Sequence, residues 1–451
     1  MKNLCIDKLF AIVEAMKKRK KRINAEKSEK LYRLSGAWKF AKVFIFTLTT
    51  VVCMGMVILL AISLTDLKAE RASAASSEGT ENSQNAATTQ ASGTLAEPIT
   101  PEDKERAASS EQSAAATEEK KQTDVYTYER TPATQGEATC VFAGDFLFDS
   151  GYSVMTKISQ SGGIGNVIGA DLMAQMQSAD VTMINNEFPY TNEGTPTAGK
   201  QYTFHADPSC VKYLQDMGVD AVSVANNHSY DYGETGLLNT LTTLESAGIA
   251  HAGAGRNLDE ASHIIYYNVG EIKIALIAST DIEQMDNPDT KGATETEPGV
   301  FRSVDDKLLL QRIQQAKATG AFVVVFIHWG KESVTEPSWL PLEQAPQIAA
   351  AGADLIVGDH SHCLQKLDYV NGVPVIYSLG NFLFNSKTVD TCLLKATFDR
   401  NGLKNLQFIP AVQAGCTVSS AQGSEKTRII GEMAGMSPGV NLDQDGNVTA
   451  R

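Results

Sequence analysis

The chain has 451 residues, 43% of them hydrophobic, with 39 Lys+Arg against 53 Asp+Glu and a formal net charge of −14. That apolar content excludes a disordered chain, and the length allows one large domain or two ordinary ones. The acidic balance argues against nucleic acid as a partner. The charge is unevenly placed: residues 1–42 hold 13 Lys/Arg and 4 Asp/Glu, a basic head on an acidic body.

After the head comes Val43 to Leu64, VFIFTLTTVVCMGMVILLAISL, with no charged residue. At about 1.5 Å rise per residue a helix here is roughly 33 Å long, enough to cross a hydrocarbon core. The run Lys17 to Arg22 stands on its N-terminal side, so the positive-inside rule predicts a single-pass protein of the cell membrane. Residues 1–42 are then cytoplasmic and the C-terminal domain extracellular. The competing reading is a signal peptide cut near Ala72-Ser73-Ala74; it fits less well, because the apolar core exceeds the usual 7–15 residues. Residues 65–125 contain no aromatic residue and are rich in Ala, Ser, Thr and Glu. Such a stretch cannot offset its ordering entropy, so 65–136 is assigned as a flexible spacer. Cys5 falls in the head and Cys53 in the apolar run. The other cysteines (Cys140, Cys210, Cys363, Cys392 and Cys416) form no CxxC pair, and the sequence does not choose a disulfide among them.

From about Tyr126 short β-branched runs alternate with helical ones. The predicted strands are Thr139–Ala143, Val181–Ile184, Ala221–Val224, Ile272–Ala278, Phe322–Ile327, Asp354–Val357 and Val375–Ser378. Helices are expected over Gly169–Ser178, Glu234–Ala247, Lys307–Ala318 and Leu342–Ala350, and Asn401-Gly402 reads as a hairpin turn. Strands alternating with helices give an α/β fold, assigned to 137–420, with 421–451 a weakly patterned tail.

In α/β folds ligand chemistry collects beyond the carboxyl ends of strands. Asp145 and Asp149 follow the first apolar run, Asn185-Asn186-Glu187 the second, and Asn226-Asn227-His228 with Asp231 the third. His328 and Glu332 follow FVVVFI, Asp359-His360-Ser361-His362 follow DLIV, and Asn381 follows VIYS. Four of the seven histidines stand at these ends. Each residue alone reads more readily as a cap or a packed side chain; together they point to a metal site. Two adjacent divalent cations need a bridging carboxylate with imidazole, amide and carboxylate ligands, and a nearby uncoordinated His can protonate a leaving group. Asp231 either orients His228 or caps the helix that begins near Glu234. Asp149, Glu332 and Asn381 are candidates for a further ligand or for the rim.

These motifs, Gly144-Asp145 through Asp149, Asn186-Glu187, Ala225 through Gly233, His328-Trp329-Gly330, Gly358 through His362 and Tyr377 through Phe382, resemble the CapA family of poly-γ-glutamate and capsule-synthesis proteins over about residues 137–415. That family is similar to the calcineurin-like metallophosphoesterases. The resemblance implies a two-sheet α/β/β/α sandwich with Mn, Zn or Mg, one or two ions. It places Asp145 and His362 on one metal, Glu187 between both, and Asn227, His328 and His360 on the other, with His228 as general acid. The superfamily's Asp-x-His motif has Leu147 at its third position here, which leaves the first metal with three ligands and Asp149 as a candidate substitute. The family implies biosynthesis, export or release of an anionic polymer such as poly-γ-glutamate, in company with a capsule synthase complex. The alternative is a metal-dependent hydrolase of phosphoester or amide bonds outside the membrane.

Overall fold

The computed structural model describes residues 126–282 and 290–451. Two large sheets carry the domain. In spatial order the first runs Thr127–Arg130, Ile265–Val269, Ile272–Thr280, Phe322–His328, Leu355–Asp359, Val373–Ile376 and Leu367–Val370. The second runs Thr417–Ser420, Gly402–Ala414, Val389–Asp399, Ala138–Phe146, Val181–Asn186, Ala221–Ser223 and Ala250–Ala252, with Asn381–Leu383 beside the end of Ala138–Phe146. The four consecutive strands from Ala138–Phe146 to Ala250–Ala252 are parallel, as are Ile272–Thr280, Phe322–His328, Leu355–Asp359 and Val373–Ile376.

Side-chain alternation along the strands builds the layers. Cys140 and Phe142 of the second sheet share one core with Ile274, Leu276, Val324, Phe326 and Val357 of the first, and the Phe142 and Phe326 rings lie 6.4 Å apart. Val141 and Ala143 point the other way, into a core with Leu172, Leu237 and Leu241 from the helices Ala170–Ser178 and Gly233–Ala247. Ala275, Ile277, Val323 and Val325 likewise pack on Leu309, Ile313 and Ile348 of Lys307–Ala318 and Trp339–Ala351. The parallel strands are buried on both faces, as parallel sheets under helices are. The architecture is a mixed α/β sandwich, as the alternation of runs predicts.

The domain begins earlier than composition placed it. Residues 1–125, including the anchor at 43–64 and most of the spacer, lie outside the described residues, and the first described strand already belongs to the first sheet. Thr127–Arg130 pairs in parallel with Ile265–Val269, Tyr128 stacks on Tyr267 at 5.2 Å, and Arg130 pairs with Asp220 at 3.0 Å. The stretch after 421 is no loose tail either. Gly423–Met436 is a helix burying Ile429, Ile430 and Met433, and Val440–Leu442 pairs with Val448–Ala450. Among the described residues no helix is long and apolar enough to cross a membrane, and Cys140, Cys210, Cys363, Cys392 and Cys416 are free thiols.

One close approach sets the site. Asp145 donates its N–H to the Gly380 carbonyl at 3.1 Å and lies level with Asn381 on one side and Asn185 on the other. A Cβ at Gly144 would overlap the Gly380 carbonyl oxygen, so only glycine lets the two segments meet. Gly144→Ala should therefore fold with a lowered melting temperature and a divalent-metal affinity reduced at least tenfold, by calorimetric titration. Wild-type affinity would show that the contact positions nothing.

Candidate metal centre

The carboxyl ends of both sets of parallel strands open at the same place. From the second sheet come Asp145, Asn185, Glu187, Asn227 and His228; from the first come His328, Asp359, His360 and His362. Asp145, Glu187, His328 and Asp359 have no exposed surface, and His360 is 5% exposed. In-register pairing puts His328 level with Asp359 across Phe322–His328 and Leu355–Asp359. His360 and His362 sit just past that strand with φ of 84° and 56°. Non-glycine residues in the left-handed region cost of order 1–3 kcal/mol each and persist where the surroundings fix them. Here the twist turns both rings toward Glu187 and Asp145.

Two donor groups overlap. The ligand atoms of Glu187, His328 and His360 lie within 4.8 Å of one another, as do those of Asp145, Glu187 and His362, so Glu187 belongs to both; Asp145, His328 and Asp359 form a third such group. His328 Nε2 stands 2.8 Å from Asn227 Oδ1, 2.9 Å from His360 Nδ1 and 3.8 Å from Glu187 Oε1. His362 Nδ1 stands 3.1 Å from Asp145 Oδ2 and 2.8 Å from Asn381 Oδ1.

The chemistry of these atoms fits a cation. With Asp359 accepting the Nδ1 proton of His328 at 2.9 Å, the Nε2 atom offers a lone pair toward Asn227 Oδ1 and Glu187 Oε1, and once Glu187 is ionised neither oxygen has a proton to give. Glu187 Oε1 is buried with no hydrogen-bond partner, an arrangement that costs free energy unless a cation or proton fills it. Donors around a cation with bonds of about 2.1 Å stand roughly 3 Å apart at adjacent corners, close to the spacings seen here.

The electrostatics agree. Burial, with the charges of Asp145 and Asp359, pushes Glu187 well above the usual carboxylate range, and burial with the charge of Asp145 does the same to Asp359. Burial opposes ionisation of Asp145 too, but the hydrogen bond and charge of His362 hold it below its ordinary value. Burial works against the His362 imidazolium, yet Asp145 wins and raises it. Burial brings His328 down to about 3 and His360 well below its ordinary value, leaving both neutral, the form that ligates metal.

His228 stands beside this cluster with Nε2 4.0 Å from Glu187 Oε1. Its Nδ1 lies 2.7 Å from Asp231 Oδ2, and its ring lies 4.2 Å from that of Phe204. Asp231 is thus the orienting partner rather than a helix cap: the helix Gly233–Ala247 is capped by Tyr232 without a side-chain bond. Lys200 anchors the pair, reaching Asp231 Oδ1 at 2.5 Å and the Asn227 carbonyl. Burial lowers the His228 imidazole against the pull of Asp231.

The remaining candidates divide. Asn381 belongs to the cluster through His362. Glu332 is exposed on the rim of a cleft of about 590 Å³ that is also lined by Leu147, His228, His362 and Asn381. Asp149 is not a substitute ligand: its two oxygens accept the backbone N–H groups of Gly151 at 2.7 Å and His205 at 2.9 Å, which ties down a loop. Sequence reasoning passed over three residues. Asp359 and Asn185 both stand at strand ends and were visible there; Asn185 Nδ2 donates to Asp145 Oδ1 at 2.9 Å and lies 3.3 Å from His328 Nδ1, joining the two sheets. Lys200 lies in a loop with no such signal.

An α/β sandwich that gathers buried carboxylates, amides and imidazoles from both sheets into one candidate metal-binding cluster defines the class. The model of the bacterial capsule synthesis protein PGA_cap matches residues 139–386, and the chain belongs to that family. A PGA biosynthesis protein CapA of Bacillus subtilis is 32% identical over 254 residues, 54% of this chain and 65% of its own length. A capsule biosynthesis protein CapA of Bacillus anthracis is 31% identical over 267 residues, 56% and 63% respectively. A probable polyglutamine synthesis accessory protein of Mycobacterium tuberculosis is 29% identical over 213 residues, 45% and 55%. The match spans somewhat less than two thirds of each relative's length. A crystal structure from Thermus thermophilus covers 58% of this chain and 95% of its own at 8% identity and a TM-score of 0.33, too distant to carry an argument.

Metal ligation requires an ionised Glu187 and neutral imidazoles, so uptake releases protons. His328, native value about 3 against an ordinary 6.5, contributes stability that is present above pH 6.5 and lost as pH falls toward 3. Glu187, raised in the native state, does the reverse: its contribution is present at low pH and lost as pH rises through its native value. A bound cation removes that second loss. The rise in melting temperature on adding Mn²⁺ or Zn²⁺ should therefore grow between pH 5.5 and pH 8; a rise that is absent, or equal at both, would remove the cluster as a metal site.

Proposed function

We propose that this chain is a membrane-anchored, extracytoplasmic member of the capsule synthesis family. Its folded domain would carry out divalent-metal-assisted hydrolysis of a phosphoester or amide bond during synthesis, export or release of an anionic capsule polymer such as poly-γ-glutamate. The observation that carries the chemistry is Glu187, shared by two donor groups and 4.0 Å from the Nε2 of His228, which lines the cleft. Asp145, Glu187 and His362 would hold one ion (Mn, Zn or Mg) and Glu187, Asn227, His328 and His360 the other. Bound there, such ions polarise a phosphoryl or carbonyl oxygen and lower the pKa of water.

The chain's own residues supply the rest. His228 lines the cleft with Nε2 4.0 Å from Glu187 Oε1 while Asp231 fixes the ring through Nδ1, as a proton donor to a leaving group needs. Phe204 covers the ring and limits water. Lys387, an exposed cation on the cleft wall, offers a charge to an anionic group. The relatives' names support the polymer, and the basic head and apolar run at 43–64 support the placement, with a capsule synthase complex as the expected partner. A second reading, polymer binding without turnover, is favoured by Leu147, which lines the cleft where the metallophosphatase-like pattern has a histidine and leaves one ion three donors.

Turnover of phosphoester and γ-glutamyl substrates by the full chain with Mn²⁺ should fall about 10²- to 10⁴-fold in His228→Ala and to background in Glu187→Ala. Equal background rates in all three proteins would leave only the binding reading. For placement, external protease on intact cells should remove a C-terminal epitope and spare an N-terminal one; protection of both would overturn the topology.

A further inference from the structure

The metal cleft does not end at His362. Thr335, Cys363 and Val389 line it and also line a second cavity of about 500 Å³, so the two adjoin along a shared wall as the near and far parts of a trench. The far part is walled by the helix Gly423–Met436, which lies beyond the residues matched by the family model. The chemistry changes along the way. At the near end stand the imidazoles, the carboxylates and Lys387. At the far end the walls are Leu364, Val389, Ile429, Met433 and Met436, edged by Asp390 and Glu432.

That edge disfavours more polyanion. Arg428, on the same helix as Ile429 and Glu432, is already held by Asp390 at 2.7 and 2.8 Å and by Glu432 at 3.2 Å, with Glu425 3.6 Å away. Three carboxylates to one guanidinium repel a chain whose next groups are themselves carboxylates. An apolar segment meets no such penalty and gains from burial.

We propose that the far trench is a binding subsite for the apolar tail of an amphiphile whose phosphate or carboxylate head lies at the metal cluster. This rests on the metal-site reading above. It narrows the substrate to a molecule with an anionic reacting end and an apolar portion, as a membrane-linked form of the polymer would have. Methionine supplies an adaptable wall for such a tail, and the wall shared with the cleft makes head and tail parts of one ligand.

The test is calorimetric titration of the Mn²⁺-loaded full chain with ethyl, butyl, hexyl and octyl phosphate, and separately with oligo-γ-glutamates of rising length. Burial of methylenes predicts affinity rising roughly two- to fourfold per added carbon until the trench is filled. In Thr388→Trp, an exposed trench position, the ratio of octyl to ethyl affinity should fall close to one. In Met436→Asp it should fall likewise. Ethyl phosphate binding with no gain along the alkyl series would overturn the tail subsite and leave the metal site standing. So would a gain along the glutamate series alone, which would make the trench a polymer track. Failure of even ethyl phosphate to bind with Mn²⁺ would instead sink the metal reading on which the proposal depends.

Discussion

The site is organised by a convergence of lone pairs that the polypeptide alone does not neutralise. Glu187, Asp145, His328 and His360 bring oxygen and nitrogen ligand atoms into overlapping groups within 4.8 Å, Asn227 Oδ1 stands 2.8 Å from His328 Nε2, and Glu187 Oε1 finds no hydrogen-bond partner. In a buried setting such crowding is costly unless a positive charge occupies the middle. The raised Glu187 and Asp359 and the lowered His328 and His360 are the same fact expressed as proton affinity: without a cation, the carboxylates keep protons and the imidazoles shed them.

The sandwich exists in a form that makes this convergence affordable. Each sheet supplies half of the donors from the carboxyl ends of parallel strands, and the shared core around Phe142 and Phe326 fixes the distance between the halves. Asn185 spans the gap, hydrogen-bonded to Asp145 of its own sheet and facing His328 of the other. Asp359 holds His328 from behind, and Asn226 links the second strand end to the His228 loop by donating to Asn185 Oδ1 and accepting the His228 N–H. Around the donors lies a buried layer of amides and carboxylates whose task is orientation.

The proposed proton donor and the candidate metal ligands are kept distinct by geometry. His228 follows Asn227 directly in the chain, yet its ring turns away to Asp231 and Phe204 while Asn227 turns to His328. Lys200 grips both the Asn227 carbonyl and Asp231, so one buried ammonium steadies the ligand and the proton donor together. The cleft in front joins a cation and metal-binding end to an apolar one, giving the site a direction as well as a chemistry.

The sequence by itself determined the alternation of strands and helices and the polar punctuation after each apolar run, because burial on both faces of a parallel strand forces continuous apolar stretches that stop where the strand leaves the core. The four histidines at strand ends were legible for that reason, and the helix Lys307–Ala318 was legible to the residue because Leu309, Ile313 and Ala316 recur at helical spacing. What tertiary structure alone decided was contact between residues far apart in the chain. Asp149 and Asp145 are alike in sequence, but backbone N–H groups of Gly151 and His205 capture the first while sheet register delivers the second to His362. Lys200 carries no local signal, and the helix Gly423–Met436 becomes a wall only by lying opposite Leu364 and Val389. Local pattern reports burial; which donors share a point depends on register and on how two sheets stack, and neither is written in any short stretch of chain.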